Sequence, residues 1–269
     1  MAFLDEDFND FIRLDADRVA FIQNYLNGIG LDCPIIQVDG KNHLYPVFPK
    51  NQYNALFKIK TIIAHYDRVL NTPGANDNSS SVYSLLRFAE RLINRPGIHN
   101  IRMIFTDGEE LSEGGVASQG AFGLAKLFKK LGITKDDVYV FDCMGRGTIP
   151  VLTESLLPKN LPSLFVKDFC QLEERAEKII RSANGGKWTK LPCNYSDNAG
   201  FIANGIPAVA FTMLPSDEVD SFLRSGQRPL TWEKLHTMED NLQSLNEEAF
   251  EITSRILDNL ADLRTVQHA

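Results

Sequence analysis

The fold expected of this chain is decided by FKIKTIIAHYD, residues 57–67, and IRMIFTDGEE, residues 101–110. Both runs are rich in β-branched and aromatic residues, as expected of strands buried in a sheet, and both end in histidine or carboxylate side chains. A third run, DVYVFDC at residues 137–143, has the same form. In open α/β sheets ligands bind beyond the carboxyl ends of the strands, so these ends predict a functional site.

Apolar residues also recur at helical spacing between and beyond these runs. The predicted helices are Asp15–Asn27, Ser79–Asn94, Gly123–Leu131, Phe169–Ser182 and Asn246–Leu263. We expect Asp15 to cap the first helix and Gly28 to end it. Two more strands are predicted, at 34–39 and 207–212. Strands that alternate with helices indicate an α/β fold with a mainly parallel central sheet.

The chain is expected to form one domain. Its 269 residues fit one large domain or two small ones, and neither a repeat nor a linker divides residues 1–269. The segment 150–195 begins with a proline- and leucine-rich stretch, 151–168, that has no clear period. We interpret this segment as an insertion or cover within the single domain.

Composition excludes several classes of protein. With 28 basic and 35 acidic residues the formal net charge is −7, which argues against a nucleic-acid-binding surface. No run approaches the roughly 18 apolar residues of a membrane-spanning helix, and the N-terminus lacks the features of a secretory signal. Cys33, Cys143, Cys170 and Cys193 show no paired spacing, so we expect free thiols in a cytoplasmic protein.

Histidine and carboxylate residues cluster at the predicted strand ends and in two later loops. The candidates are His65, Asp67, Asp77, Glu109, Glu110, Asp142 and His236. Imidazole and carboxylate groups suit zinc, and no thiolate is required. Taken alone each has an ordinary alternative, such as Asp77 as a helix cap. Together they favour a metal site.

The three other histidines are not assigned to the site. His43 lies in a predicted β segment away from the acidic motifs, His99 lies before a strand, and His268 is the penultimate residue. We expect none of them to bind the metal.

Six stretches resemble the M28 family of zinc metallopeptidases. In chain order they are AHYDRV, GANDNSSSV, FTDGEE, VFDCMG, SDNAGF followed by GIPAVAFT, and LHTMEDN, and they extend from about residue 60 to the end. The resemblance implies a three-layer sandwich, with a mixed, mostly parallel central sheet flanked by helices. It also implies a pair of Zn²⁺ ions, although Mn²⁺ or Co²⁺ would suit such donors. Glutaminyl cyclases share this architecture.

The resemblance also assigns the metal ligands. Asp77 would bridge the two ions, His65 and Asp142 would complete one site, and Glu110 and His236 the other. Each ion then has three protein ligands and room for a shared water.

Two further roles follow from the same resemblance. Glu109 would be the general base, and Asp67 would orient the imidazole two residues before it. Glu109 cannot also be a tight ligand if it is to take a proton from the bridging water.

The expected function is that of a zinc-dependent aminopeptidase, which hydrolyses the N-terminal peptide bond of peptides. Its partner would be a peptide with a free N-terminus, with no nucleic acid and no membrane; the oligomeric state is not predicted. Candidates for an apolar pocket that takes the first side chain are Met144, Tyr195, Phe201 and Met213. Asn198 stands where many relatives have histidine, which concerns specificity more than metal binding.

Three alternatives stay open at this point. A single-zinc glutaminyl cyclase would share most of the ligands, but Leu235 stands where such cyclases carry tryptophan. A non-catalytic binding relative would normally have lost a ligand or the base. A carboxypeptidase would need an arginine near the metals, and Arg68 and Arg146 are close to ligands in sequence.

Overall fold

The computed structural model describes residues 3–110 and 112–267, with the backbone alone for residues 112 and 113. The strands are β1 (Ile35–Val38), β2 (Lys41–Leu44), β3 (Lys60–His65), β4 (Ile101–Thr106), β5 (Asp137–Phe141), β6 (Ile149–Thr153), β7 (Thr189–Leu191) and β8 (Ala208–Leu214). The helices are α1 (Glu6–Ile12), α2 (Arg18–Gly28), α3 (Ser81–Ile93), α4 (Gly120–Lys130), α5 (Ser163–Ala183), α6 (Asn198–Ala203), α7 (Ser216–Ser225), α8 (Leu230–Lys234) and α9 (Glu247–Asp262). His268 lies outside the described residues.

The eight strands form one sheet in the order β1-β2-β4-β3-β5-β8-β6-β7. The central strands β4, β3, β5 and β8 are mutually parallel, whereas β1, β2 and β6 pair antiparallel with β2, β4 and β8 respectively. Every residue of β3, β5 and β8 is buried, as their continuous apolar runs predict. Helices α4 and α6 pack together, and α3 and α5 pack against α9. The predicted α/β three-layer sandwich is confirmed.

Several predicted boundaries differ from the observed ones by a few residues. Helix α2 begins at Arg18 because Asp17, and not Asp15, accepts a hydrogen bond from the Ala20 amide as its cap. Asp15 instead pairs with the exposed side chain of Arg13. The strand predicted from residue 57 begins three residues later, at Lys60.

The segment 150–195 contributes to the sheet. It contains most of β6, the long helix α5 and β7; β6 pairs with β8, and β7 pairs with β6. The stretch 151–168, predicted to be irregular, therefore contains a strand end and the start of a helix. Pro150 interrupts the apolar pattern of the short strand β6, which pairs with β8. That this segment is an insertion stays a prediction.

The four cysteines are free thiols, two of them buried. In the described part of the chain, no helix is long and apolar enough to cross a bilayer.

Candidate active site

All seven predicted site residues lie at one edge of the sheet. His65 ends β3, the loop after β4 carries Glu109 and Glu110, and Asp142 follows β5. Within the described residues, two sets of side chains could hold a metal ion, with ligand atoms that all lie within 4.8 Å of one another in each set. The first set is His65, Asp77 and Asp142; the second is Asp77, Glu110 and His236. The sets share Asp77.

The first set surrounds a buried imidazole. His65 Nε2 lies 3.2 Å from Asp77 Oδ1 and 3.6 Å from Asp142 Oδ1. The ring is fully buried, and neither of its nitrogens makes a well-formed hydrogen bond. Burying a polar atom without a hydrogen bond costs free energy of folding. His65 Nε2, which faces the carboxylates of Asp77 and Asp142, therefore needs a further partner.

The second set is more open. His236 Nε2 lies 3.1 Å from Asp77 Oδ2 and 3.1 Å from Glu110 Oε2, and 55% of the His236 side chain is exposed. The His236 backbone has a φ of 63°, in the left-handed region that few residues other than glycine adopt. Glu110 Oε1 is buried and has no hydrogen-bond partner.

Asp77 does not cap a helix. It lies in the π-helical turn Ala75–Ser80 that precedes α3, and its own φ and ψ are not helical. The Asp77–Asn78 peptide bond is cis. The Asn78 side chain donates to the Phe141 carbonyl and accepts from the Cys143 amide, which joins this turn to the end of β5.

Asp67 joins the imidazole of the first set to the glutamate loop. Its Oδ1 lies 3.5 Å from His65 Nδ1, and its two carboxylate oxygens accept the backbone amides of Glu109 and Glu110 at 3.2 and 3.0 Å. Asp67 therefore contacts both the His65 imidazole and the loop that carries Glu109, the predicted base.

Glu109 belongs to neither set of ligand atoms. Gln119 Nε2 donates to Glu109 Oε1 at 2.8 Å and to its backbone carbonyl at 3.3 Å, so the carboxylate has a defined position. Burial raises the pKa of Glu109 well above its usual range. Sequence patterns did not single out Gln119, because it lies ten residues away in a glycine- and serine-rich loop.

Asp240 is a second residue that the sequence analysis missed. Its Oδ1 accepts the Asn76 amide at 2.7 Å and its Oδ2 accepts the Asp77 amide at 3.0 Å. Burial raises the pKa of Asp240 to about 6. It stands four residues after His236 in the stretch LHTMEDN, so its place in that motif was the available signal.

The histidines and carboxylates of the site interact electrostatically with one another. Hydrogen bonds to Asp77 and Glu110 raise the pKa of His236 to about 10. Burial opposes a charge on His65, yet the carboxylates of Asp142, Asp67 and Asp77 raise its pKa well above the usual range. The concentrated negative charge therefore favours a bound cation.

A cleft of about 370 Å³ opens above these groups. Its lining comprises Val69, Asp77, Glu109, Glu110, Gln119, Asp142, Cys143, Asn194, Tyr195, Leu235 and His236. Tyr195 is thus a lining residue, as predicted. Met144, Phe201 and Met213 are fully buried in the hydrophobic core, where neighbouring elements cover them. Their prediction as pocket residues is wrong.

The stretch SDNAGF lies beside the cleft. Asn198 accepts the Ser196 amide at 3.2 Å and donates to Ser155 Oγ at 3.3 Å, and it lines a separate apolar cavity of about 340 Å³. Its neighbour Asp197 is fully buried and accepts a hydrogen bond from Thr106 at the end of β4.

The two arginines considered for a substrate carboxylate have other partners. Arg146 contacts Thr231, Ser244 and Glu218, and Arg68 donates to backbone carbonyls. Arg228, which the sequence analysis did not consider, lines a cavity together with His236.

Two of the remaining histidines lie outside both sets. His99 contacts Gln52. His43 accepts the Asp107 amide, so it is nearer the glutamate loop than its place in the sequence indicates.

Sheet topology and donor chemistry together define an α/β protein with a candidate two-metal hydrolytic site. The model of peptidase family M28 matches residues 47–261, and the chain belongs to that family. The resemblance found in the six stretches is confirmed. None of the curated proteins that were searched matches the chain.

Solved structures share the fold at low sequence identity. The LapA aminopeptidase of Legionella pneumophila has a TM-score of 0.70 at 18% identity; the match covers 91% of this chain and 64% of that one. This chain therefore spans less than two thirds of the Legionella protein. The glutaminyl cyclase of Porphyromonas gingivalis has a TM-score of 0.69 at 18% identity, with 97% and 95% coverage. A Zn-dependent exopeptidase from Parabacteroides distasonis has a TM-score of 0.68 at 15% identity, with 95% and 96% coverage.

Proposed function

We propose that this protein is a zinc-dependent aminopeptidase that acts on peptides with a free N-terminus. One observation carries the proposal: two donor sets share Asp77, while Glu109 lines the same cleft and belongs to neither set. Family membership and the zinc exopeptidase among the structural neighbours support the same reaction class.

The residues fit a pair of zinc ions. His65, Asp77 and Asp142 would hold one ion, and Asp77, Glu110 and His236 the other. The unpartnered buried atoms His65 Nε2 and Glu110 Oε1 are the kind of donor that a metal satisfies. The donors are nitrogen and oxygen alone, so Mn²⁺ or Co²⁺ would also suit them.

Zinc, when bound here, would polarise the scissile carbonyl and lower the pKa of a water. Glu109 is positioned to take a proton from that water and deliver it to the leaving amine. Gln119 orients its carboxylate, and Asp67 fixes both the His65 ring and the loop that carries Glu109.

The charge of the cleft supports recognition of an amino terminus. Of the four carboxylates that line it, Asp77, Glu110 and Asp142 would be neutralised by the metal ions, so the Glu109 carboxylate is the one left to attract a substrate ammonium group. Tyr195 and Leu235 supply apolar surface for the first side chain. The cytoplasmic location stays a prediction.

A glutaminyl cyclase is the second candidate. The Porphyromonas gingivalis cyclase matches this chain almost end to end, whereas the Legionella aminopeptidase is longer. A cyclase needs one zinc, so the completeness of both donor sets favours the peptidase.

The decisive experiment combines metal analysis with a substrate panel on the purified protein. We expect two zinc ions per chain and cleavage of aminoacyl anilides and free peptides, with no cleavage of the same peptides after N-acetylation. Cyclisation of glutaminyl peptides without leucyl-anilide cleavage would favour the cyclase. Cleavage of N-acetylated peptides at their C-terminus would indicate a carboxypeptidase, and zinc binding without any turnover would indicate a binding relative.

A further inference from the structure

Helix α2 contributes a buried arginine to the surroundings of the candidate metal site. Arg18, the first residue of α2, is only 6% exposed. Its Nη1 donates to the Tyr66 carbonyl at 2.9 Å, and its Nη2 donates to the Pro73 carbonyl at 3.0 Å and to Ser79 Oγ at 2.6 Å. The guanidinium thus contacts both ends of the connection between β3 and α3.

The two ends of this connection carry candidate metal ligands. Tyr66 stands between His65 and Asp67, so its carbonyl belongs to the end that follows the buried imidazole. Pro73 and Ser79 stand on either side of Asp77, which both donor sets share. The hydrogen bonds of one side chain therefore join the two ends of the connection.

Arg68 ties the same region back to the N-terminal helices. Its Nη1 donates to the carbonyls of Ile12 and Pro73 at 3.1 and 3.2 Å. Its Nη2 donates to the carbonyls of Arg13 and Leu14, each at 2.8 Å. The connection between α1 and α2 is thereby held against the loop that ends at Pro73.

The surroundings of Arg18 suit a fixed, charged group. The guanidinium carbon lies 4.9 Å from the centre of the Phe11 ring. Burial and the neighbouring charge of Arg68 lower the pKa of Arg18 to about 9, but the carboxylates of Asp67, Asp77 and Asp240 oppose that shift, so the group stays charged at neutral pH. Its planar fork can donate in several fixed directions at once, which a lysine ammonium on a flexible chain cannot reproduce.

We propose that Arg18 is a positioning residue for the metal site, which holds the His65–Asp67 loop and the Asp77 turn in register. The proposal rests on the proposed function of this site. Arg18 lies outside residues 47–261, which match the family model, so this support comes from the chain's N-terminal helices.

Three variants test the proposal: Arg18→Met, Arg18→Lys and, as a matched control, Arg13→Met. Arg13 lies in the connection between α1 and α2, and among the described residues its side chain pairs with the exposed Asp15 alone. The readouts are zinc affinity by competition with a chelator, the visible spectrum of the Co²⁺-loaded protein, and kcat and KM measured separately.

We expect Arg18→Met to weaken zinc binding about 10- to 100-fold, as is typical when a group that orients metal ligands is lost. The Co²⁺ spectrum should change, and kcat should fall more than KM rises. Arg18→Lys should lie between the wild type and Arg18→Met, because one ammonium group cannot reach all three acceptors. Arg13→Met should match the wild type.

Wild-type zinc affinity and an unchanged Co²⁺ spectrum in Arg18→Met would overturn the proposal. If that variant does not fold, the same result in Arg18→Lys decides against it. Failure of the proposed function is a different result, since the wild-type protein itself would then bind no zinc or cleave no peptide.

Discussion

The two halves of the candidate metal site are built differently although they share Asp77. The His65 half is formed at strand ends, and its imidazole is fully buried. The His236 half depends on a loop after α8, and the His236 side chain is 55% exposed. The buried half is therefore held by the sheet itself, whereas the open half is accessible to solvent.

The largest effect should come from the residue that joins the halves. Asp77→Asn weakens a ligand of both ions, so we expect at least about 100-fold weaker zinc binding, because losing a ligand costs more than losing its support. Activity should fall by about 10⁴-fold or more. Zinc titration and kcat/KM measure both effects. A variant that kept one tightly bound ion would show that Asp77 does not bridge.

Glu109→Gln should separate catalysis from metal binding. The amide cannot accept a proton, so kcat should fall about 10²- to 10⁴-fold. Zinc content should stay at the wild-type level because Glu109 lies outside both donor sets. Glu239→Gln is the control, since Glu239 is exposed near His236 and pairs with Lys234. Wild-type activity in Glu109→Gln would make the assigned base wrong.

His65→Gln and His236→Gln compare the halves directly. Each should lose one zinc ion, and His65→Gln should destabilise the metal-free protein by about 1–3 kcal/mol, because it disturbs a fully buried polar site. His236→Gln should destabilise it less, by about 1 kcal/mol at most, because solvent screens the pairs that the half-exposed His236 makes with Asp77 and Glu110. Urea unfolding in the presence of a chelator gives both values. Equal destabilisation would contradict the proposed asymmetry.

The smallest predicted effect is on the stability of the folded protein in acid, and it comes from a residue outside the site. The buried His99 has its pKa lowered to about 4 by burial and by Lys60, Arg95 and Arg264. Its Nδ1 accepts the Ile101 amide, so protonation would break that bond.

Because the folded-state pKa is below the ordinary 6.5, the unfolded chain binds more protons between pH 6.5 and 4. Stability from this residue is therefore complete above pH 6.5 and is lost as the pH falls towards 4. The slope should be at most about 1.4 kcal/mol per pH unit. His99→Asn should flatten it when unfolding is measured at pH 7, 6 and 5. An unchanged slope would assign the acid sensitivity to other groups.

Local sequence was sufficient for the parts of the fold that do not depend on distant partners. The run that begins at residue 101 was predicted to be a buried strand and forms β4, because a buried parallel strand needs a continuous apolar run. The short elements β7, α1 and α6 were not predicted. Each has too few residues to show a period, and each is stabilised by the neighbour on which it packs.

The same distinction holds for the candidate site. The sequence by itself determined which side chains end the buried strands and that their chemistry suits zinc. It also predicted that they meet, because alternation of strands and helices brings strand ends to one edge of the sheet. Only the tertiary structure decided that Asp240 supports a residue 163 positions earlier, that Gln119 orients Glu109, and that Arg18 joins the two ends of the connection between β3 and α3. Such contacts depend on how elements pack across the chain, and no local pattern encodes them.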